Sequence, residues 1–363
     1  MITKYPLLTI ITTVLLLSLC TLQGCRASSE VSGNTETTKT DYFSDVVQVD
    51  DIISRHGTDY DLVRINSFED LISNADIVKV DYIEVDIEKL LLVEEYCNKL
   101  KYDYSALSLY PHEGINLIPA RSIICYKMRY RSDDEEVVGY ISAPADYQTA
   151  EYPLLVFNRG GNGDYSKLEG YEVQYIAQHG FIVLASQYRG ADGGTGKDEF
   201  GGGDVNDVIK LIDTAAQFSF SNGKIYMMGW SRGAMQTYIV LSRDNRVNAA
   251  VAGAGFTDLF SAYDESDTDM KINVFVKRVG RPSQDVAEYR ARSVLFWPEA
   301  INTPLLIAHG TDDERVQVHH STDLYTIMSE LSKIVELIIY PDMDHSEPFW
   351  AFVGDYLYWL KQH

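Results

Sequence analysis

Gly229-Trp230-Ser231-Arg232-Gly233 lies between an apolar, strand-like run, Lys224–Met228, and a helix-like run, Ala234–Leu241. This is the G-x-S-x-G pattern in a strand–turn–helix context, in which a sharp turn exposes the serine hydroxyl at the edge of a sheet. The turn is too tight for side chains on either side of the serine, which explains the two glycines. The helix N-terminus favours negative charge at the hydroxyl. The stretch therefore predicts a nucleophile, Ser231, if a base, an acid and an oxyanion site occur elsewhere.

Apolar strands alternate with helical segments on both sides of this turn. This alternation is typical of a mostly parallel sheet that helices cover on both faces, and ligands then bind at the carboxyl ends of the strands. We therefore expect an α/β fold. The predicted strands are 122–130, 137–142, 152–158, 181–186, 224–228, 247–252, 304–308 and 334–340, and the predicted helices are 170–178, 204–216, 234–241 and 348–360.

The N-terminus predicts export. After Lys4, the apolar stretch Leu7–Leu19 is thirteen residues long, too short to anchor stably across a bilayer. Leu22-Gln23-Gly24-Cys25 follows, and a small residue before a cysteine at this place resembles a bacterial lipoprotein signal. We expect cleavage before Cys25 and lipidation of its thiol, giving an extracytoplasmic, membrane-anchored lipoprotein. The alternative is an ordinary cleaved signal peptide and a secreted protein.

Four segments follow from these patterns. We predict a signal peptide over 1–24, a polar, flexible tether over 25–44, a small α+β or helical accessory region over 45–120, and a catalytic domain over 121–363.

The composition of the chain limits the kinds of partner and cofactor that it is expected to bind. The 363 residues carry a net charge of −22, which argues against nucleic acid because phosphate binding needs a basic face. Past the signal, Cys97 and Cys125 remain, and they either form a disulfide or are two buried thiols. We expect no cofactor and no metal. The sequence leaves the oligomeric state open.

A serine hydroxyl needs a general base, and in this fold class the order along the chain is Ser, then Asp or Glu, then His. His345 fits, because it lies in a loop directly after the last strand. His309 comes too early for that order and is expected to shape a strand end. His319 and His320 are adjacent at a helix start, and neighbouring histidines are expected to point in different directions, which disfavours a metal pair.

The acid that orients the base should follow the preceding strand. The stretch His309–Val316 offers Asp312 and Asp313 there. Spacing alone does not separate the two.

Five stretches of the chain together form a specific pattern: 152–156, Tyr188-Arg189-Gly190, 201–208, 229–233 and 309–316. Through these stretches the region from about 120 to 363 resembles the catalytic domain of the prolyl oligopeptidase family of α/β hydrolases. The resemblance implies an α/β-hydrolase fold, and it implies that Asp313 is the acid, because the family's acid stands three residues before the valine that Val316 matches.

The oxyanion site needs two donors. One is the backbone N–H of Arg232, and the other should come from the loop Arg159-Gly160-Gly161, where related enzymes commonly carry His-Gly-Gly. We expect Gly161 to be this donor, with Gly160 as the alternative. Arg159 and Arg189 either bind a substrate carboxylate or brace loops through salt bridges.

The resemblance favours peptide substrates, and an acyl ester substrate is the alternative. About 75 residues separate the tether from the catalytic domain, too few for the β-propeller of many relatives, since blades repeat every ~40–50 residues. The segment 257–292 is either a short lid or an ordinary surface helix pair. A binding lipoprotein without catalysis is the alternative from another class of function.

Overall fold

The computed structural model describes residues 64–103, 107–108 and 117–363. The predicted signal peptide, Cys25 and the tether lie outside these residues. Within the described ranges, no helix has the length and apolar character needed to cross a bilayer.

A single nine-stranded sheet runs through the described part of the chain, in the order β1-β2-β3-β5-β4-β6-β7-β8-β9. Strands β4 to β9 are parallel to one another, while β1, β2 and β3 form an antiparallel edge in which β3 pairs antiparallel with β5. The predicted, mostly parallel sheet is therefore confirmed. The bounds are β1 Ile77–Ile83, β2 Ile123–Ser132, β3 Glu135–Pro144, β4 Leu154–Asn158, β5 Ile182–Ser186, β6 Ile225–Trp230, β7 Ala249–Gly253, β8 Leu305–Gly310 and β9 Val335–Tyr340.

Helices connect most of the strands, including β1 and β2, while β2 and β3 are joined directly by the turn at Asp133-Asp134. The helices are α1 Ile87–Asp103, α2 Tyr147–Ala150, α3 Tyr171–Ala177, α4 Asp204–Ala215, α5 Arg232–Leu241, α6 Leu259–Glu265, α7 Val286–Ala291, α8 His319–Glu330 and α9 Glu347–Gln362. A π-helical segment, Met270–Val276, lies between α6 and α7, and 3-10 turns lie at Glu69–Ser73, Ala120–Ser122, Val294–Phe296 and Pro298–Ala300.

The sheet has a hydrophobic core on each face, because successive side chains of a strand point to opposite sides. In β4, Leu154 and Val156 belong to a first core, which includes residues of α4, α5 and α8, while Leu155 and Phe157 belong to a second core, which includes residues of α1, α3 and α9. Every residue of β4 to β8 is buried, as expected of strands covered twice. These continuous apolar runs are what made the strands recognisable in the sequence.

Part of the predicted accessory region is built into the main sheet. Strand β1 pairs with β2 from Ile77 to Ile83, and α1 packs against α9 in the second core. The described part of 45–120 therefore extends the catalytic fold at one edge.

The parallel topology collects the predicted site residues at one edge of the sheet. Gly161 follows β4, Ser231 follows β6, Asp313 follows β8 and His345 follows β9. The carboxyl ends of parallel strands lie on the same side, which is where this architecture places its ligand sites.

Candidate active site

Ser231 sits in a tight turn between β6 and α5. Its backbone has φ 58° and ψ −126°, a region that a residue with a side chain enters only when its surroundings enforce it. The Ser231 N–H donates to the carbonyl of Gly253 (2.8 Å). A Cβ on Gly229 would lie 2.1 Å from the Gly233 oxygen, and a Cβ on Gly233 would lie 1.9 Å from the Asn158 oxygen. Both glycines are thus needed for the turn to form.

Asp313 contacts His345, and Asp312 does not. Asp313 is buried, and its Oδ2 lies 2.6 Å from Nδ1 of His345. Asp312 is exposed and accepts a hydrogen bond from the hydroxyl of its neighbour Thr311 (3.0 Å). The geometry separates two carboxylates that the spacing of the sequence left equivalent.

The Asp313 carboxylate is fully hydrogen-bonded. Oδ1 accepts the backbone N–H groups of Arg315 and Val316, each at 2.9 Å, and Oδ2 faces His345 and His309. Burial by itself raises the pKa of Asp313, but the interactions with His345 and His309 outweigh burial and lower the pKa below its usual range. The carboxylate is therefore ionised at neutral pH.

His309 belongs to this network, which sequence reasoning missed. Its ring is buried, and Nε2 lies 3.0 Å from Oδ2 of Asp313 and 2.8 Å from the Val316 carbonyl oxygen. Because both neighbours of Nε2 are acceptors, the ring proton lies there, and the Ser321 hydroxyl donates to Nδ1 (2.7 Å). The rule of chain order set His309 aside as a base. A histidine four residues before the acid was the available signal for a supporting role.

The loop that carries His345 is hydrogen-bonded to the turn that carries Ser231. The indole Nε1 of Trp230, the residue before Ser231, donates to the backbone carbonyl of His345 at 2.7 Å. Gly310 lies against the same loop, since a Cβ there would be 2.2 Å from the Met343 oxygen. These contacts fix the His345 loop relative to Ser231.

The glycine loop after β4 lies beside the serine. A Cβ on Gly160 would be 3.3 Å from Cβ and 3.8 Å from Oγ of Ser231. Gly161 has φ 71°, and a Cβ there would be 2.2 Å from the Tyr165 oxygen. On the other side of Ser231, the N–H of Arg232 opens helix α5, where the first N–H groups have no partner within the helix.

Comparison with known proteins accords with this geometry. The sequence profile of the prolyl oligopeptidase family, Peptidase_S9, matches residues 167–358, which is more than half of the chain. The chain belongs to the prolyl oligopeptidase family.

The relatives that the chain resembles are described as peptidases. The chain is 27% identical over 234 residues to the "Uncharacterized peptidase YtmA" of Bacillus subtilis (strain 168), which covers 63% of this chain and 89% of YtmA. It is 26% identical over 227 residues to human (Homo sapiens) dipeptidyl peptidase 8, which covers 57% of this chain and 24% of that protein.

Among solved structures, an acylaminoacyl peptidase of Pyrococcus horikoshii aligns with a TM-score of 0.55 at 22% identity and covers 66% of this chain and 40% of that one. The α/β-hydrolase fold is thereby confirmed. The family match and the peptidase relatives make the protein a serine hydrolase. The chain spans most of YtmA but well under half of the longer relatives.

This prolyl oligopeptidase family member has a buried arginine, Arg159, under its glycine loop. The guanidinium donates to the carbonyl oxygens of Gln187, Gly160 and Gly163 (2.6, 3.0 and 2.7 Å) and bonds no carboxylate among the described residues. Burial lowers the pKa of Arg159 to about 10. The side chain therefore braces the loop, which was one of the two expectations for Arg159. It does so by donating hydrogen bonds to carbonyl groups and not by forming salt bridges.

Arg159 also orients the peptide unit of the expected oxyanion donor. The carbonyl of Gly160 and the N–H of Gly161 belong to one trans peptide and point in opposite directions. Because Arg159 holds that carbonyl, the Gly161 N–H points away from the guanidinium.

The other buried arginines are paired with acids. Arg232 bonds Asp198 (2.7 Å) and Asp204 (2.6 Å), and it also donates to the Gly161 carbonyl at 3.1 Å. Arg189 bonds Asp207 at 2.7 Å. Arg159 and Arg189 are both buried and committed to these partners, which disfavours the alternative that they bind a substrate carboxylate.

The segment 257–292 contacts the glycine loop. Its aromatic side chains Phe275 and Tyr289 are buried in the core, while Arg278 donates to the Asn162 side chain at 2.7 Å. The inward aromatics agree with a packed pair of helices, and the contact to Asn162 places the middle of the segment beside the glycine loop, where a lid would lie.

The structure also decides the state of the two cysteines and the orientation of the two adjacent histidine rings. Cys97 and Cys125 are free, and burial raises their pKa values to about 12 and about 11, so both are inert thiols. The expectation that the rings of His319 and His320 diverge is wrong, since they stack with centroids 4.6 Å apart and 25° between planes. Both rings face the carboxylate of Glu265, which places them on the same side of α8.

Proposed function

We propose that this protein is an exported serine peptidase of the prolyl oligopeptidase type in which Ser231, Asp313 and His345 form the catalytic triad. The observation that carries the proposal is the 2.6 Å contact between Asp313 Oδ2 and His345 Nδ1. The loop that carries His345 is held to the turn of Ser231 by the hydrogen bond from the Trp230 indole to the His345 carbonyl.

The contact defines the proton path. With Nδ1 donating to the ionised Asp313, the Nε2 atom of His345 carries the lone pair and acts as the base. Ser231 Oγ attacks the acyl carbonyl carbon while its proton passes to Nε2. Nε2 then gives this proton to the leaving amine, which leaves an acyl-enzyme. A water molecule then gives a proton to Nε2 while its oxygen attacks the acyl carbon, and Nε2 returns the proton to Ser231 Oγ as the ester bond breaks, which releases the carboxylic acid and restores Ser231.

The negative charge on the substrate oxygen needs fixed donors. The backbone N–H groups of Arg232 and Gly161 are proposed as these donors, one on each side of Ser231. Support comes from the position of Gly160 against Ser231 and from the hold of Arg159 on the Gly160 carbonyl. Such donors cost no reorganisation during the reaction.

A peptide is the proposed substrate class, because the relatives are described as peptidases. The same groups also cleave esters, so a carboxylesterase is one outcome of the test below. A surface lipoprotein that binds without catalysis is the other.

The proposed location is outside the cytoplasm, with the chain held to the membrane by a lipid on Cys25. The support is the sequence of residues 1–25 and the polar tether that follows. Secretion after simple signal cleavage is the alternative.

A substrate panel tests the activity. Purified wild type and Ser231→Ala are offered short acyl esters, aminoacyl and prolyl amides, acylated amino-acid amides and peptides of two to ten residues. We expect wild-type turnover of amide or peptide bonds and none with Ser231→Ala. Turnover of esters alone would make it an esterase, and a folded wild type inactive on the whole panel would contradict catalysis.

A further inference from the structure

Two histidines and a glutamate that are not members of the triad converge at one point. His319 and His320 open helix α8, and Glu265 closes helix α6. Nε2 of His319 lies 2.8 Å from Oε1 of Glu265, and Nε2 of His320 lies 3.5 Å from Oε2 of the same carboxylate. The stacked rings thus present one nitrogen each to one carboxylate.

His320 is the unusual member of this group. Its side chain is 1% exposed, and Nε2 has no hydrogen-bond partner among the described residues. A buried polar atom without a partner costs about 1–3 kcal/mol. The separation of 3.5 Å from Glu265 is too long for a good hydrogen bond. The atom is aimed at an acceptor that it does not bond.

We propose that Glu265, His319 and His320 bind a divalent metal ion of the zinc type. Their ligand atoms all lie within 4.8 Å of one another. Two ligands at the ~2.0–2.1 Å bond lengths of tetrahedral zinc are about 3.3 Å apart, which is close to the spacing between His320 and Glu265. Two histidines and one carboxylate form a three-ligand set that leaves the fourth position to water.

Further contacts hold both rings. Nδ1 of His319 lies 3.4 Å from the Asp323 carboxylate, one turn along α8. Nδ1 of His320 lies 3.2 Å from the Thr257 hydroxyl oxygen, which donates its own proton to the His320 carbonyl and can therefore accept the Nδ1 proton when Nε2 binds the ion. In the tautomer that carries the proton on Nε2, Nδ1 instead accepts the Thr257 N–H at 3.3 Å. In both rings Nδ1 is occupied and Nε2 faces Glu265. Second contacts of this kind orient the histidine ligands of metal sites.

Access and charge also favour a cation. The side chains of His319 and Glu265 are 40% and 34% exposed, which gives an ion a route from solvent and leaves room for a water ligand. The carboxylates of Glu265 and Asp323 supply negative charge. The ion would tie the end of α6 to the start of α8. This proposal does not depend on the proposed function, because none of its ligands belongs to the triad.

Calorimetric titration of the metal-free full-length protein with Zn²⁺ tests the site. We expect one ion per chain, a higher unfolding temperature with zinc than with a chelator, and an affinity at least about ten-fold weaker in Glu265→Gln and in His319→Ala. Both altered side chains are partly exposed, so these variants should fold. Co²⁺ provides a second readout through visible absorption bands, which Glu265→Gln should abolish.

Two control variants define the outcome. His363→Ala removes another histidine near a carboxylate, 3.9 Å from Glu336, and should leave zinc affinity unchanged. His345→Ala should also leave it unchanged. The proposal is overturned if wild type does not bind zinc, if Glu265→Gln and His319→Ala bind it as tightly as wild type, or if His345→Ala alone loses binding.

Discussion

Oδ2 of Asp313 lies 2.6 Å from Nδ1 of His345 and 3.0 Å from Nε2 of His309, so one carboxylate oxygen serves two imidazoles. One imidazole is the proposed base at the surface of the site, and the other is a buried support. The arrangement explains why the acid is both ionised and fixed in direction.

Asp313→Asn should lower kcat by about 10³–10⁴-fold, because an amide cannot hold the His345 imidazolium or its correct tautomer. The matched variant Asp312→Asn should change kcat only a few-fold, since Asp312 is exposed and touches no catalytic group. Steady-state kinetics on the best substrate of the panel gives both values. A larger loss in Asp312→Asn would reverse the assignment.

His309→Leu should move the acid limb of the kcat/KM profile to higher pH. His309 is one of the groups that lower the pKa of Asp313, so without its Nε2 donor the Asp313 charge acts more fully on His345 and stabilises the inactive imidazolium, and activity is lost earlier as pH falls. His309→Gln keeps an amide N–H for Asp313 and should stay near wild type. Acid limbs that coincide in all three proteins would show that His309 only packs.

Arg159→Met should reduce kcat with little change in KM, because it frees the peptide that carries the proposed Gly161 donor. The loss of one oxyanion donor costs about 10²–10³-fold, which sets the upper limit. Arg159→Lys, which keeps the charge but fewer hydrogen bonds, should lie between. Arg189→Met is the control for loss of a buried arginine away from this loop. A raised KM with unchanged kcat in Arg159→Met would instead indicate a substrate contact.

Cys25→Ser should transfer the protein from the membrane fraction to the soluble extracytoplasmic fraction. Lipid is attached only to the cysteine that follows the cleavage site, so Cys20→Ser, within the apolar stretch, should remain membrane-bound. Mass spectrometry of the mature N-terminus reads the modification directly. A wild-type N-terminus without lipid would support simple signal cleavage and secretion.

The sequence predicted the strands well because β4 to β8 are continuous apolar runs between turn residues, a pattern that burial on both faces imposes. The need for glycine at positions 229 and 233 was also predictable, since the tight turn around Ser231 leaves no space for a Cβ at either position. Asp312 and Asp313 were not separable by spacing, because one residue decides which carboxylate points inward. That direction depends on the N–H groups of Arg315 and Val316.

Other features depended on contacts between distant segments. The role of Arg159 depends on the carbonyl of Gln187, which is far from it in the sequence. The stacking of His319 and His320 against Glu265 depends on where α6 ends. The signal peptide, the lipid on Cys25 and the lack of a β-propeller stay predictions from the sequence.

Labelling with a fluorophosphonate tests the central claim most directly, since this probe phosphonylates a serine only when a neighbouring base has activated it. Wild type should be labelled once, at Ser231 by peptide mass mapping, with much slower labelling of His345→Ala and no labelling of Ser231→Ala. A correctly folded wild type that stays unlabelled, or labelling at another serine, would contradict the account.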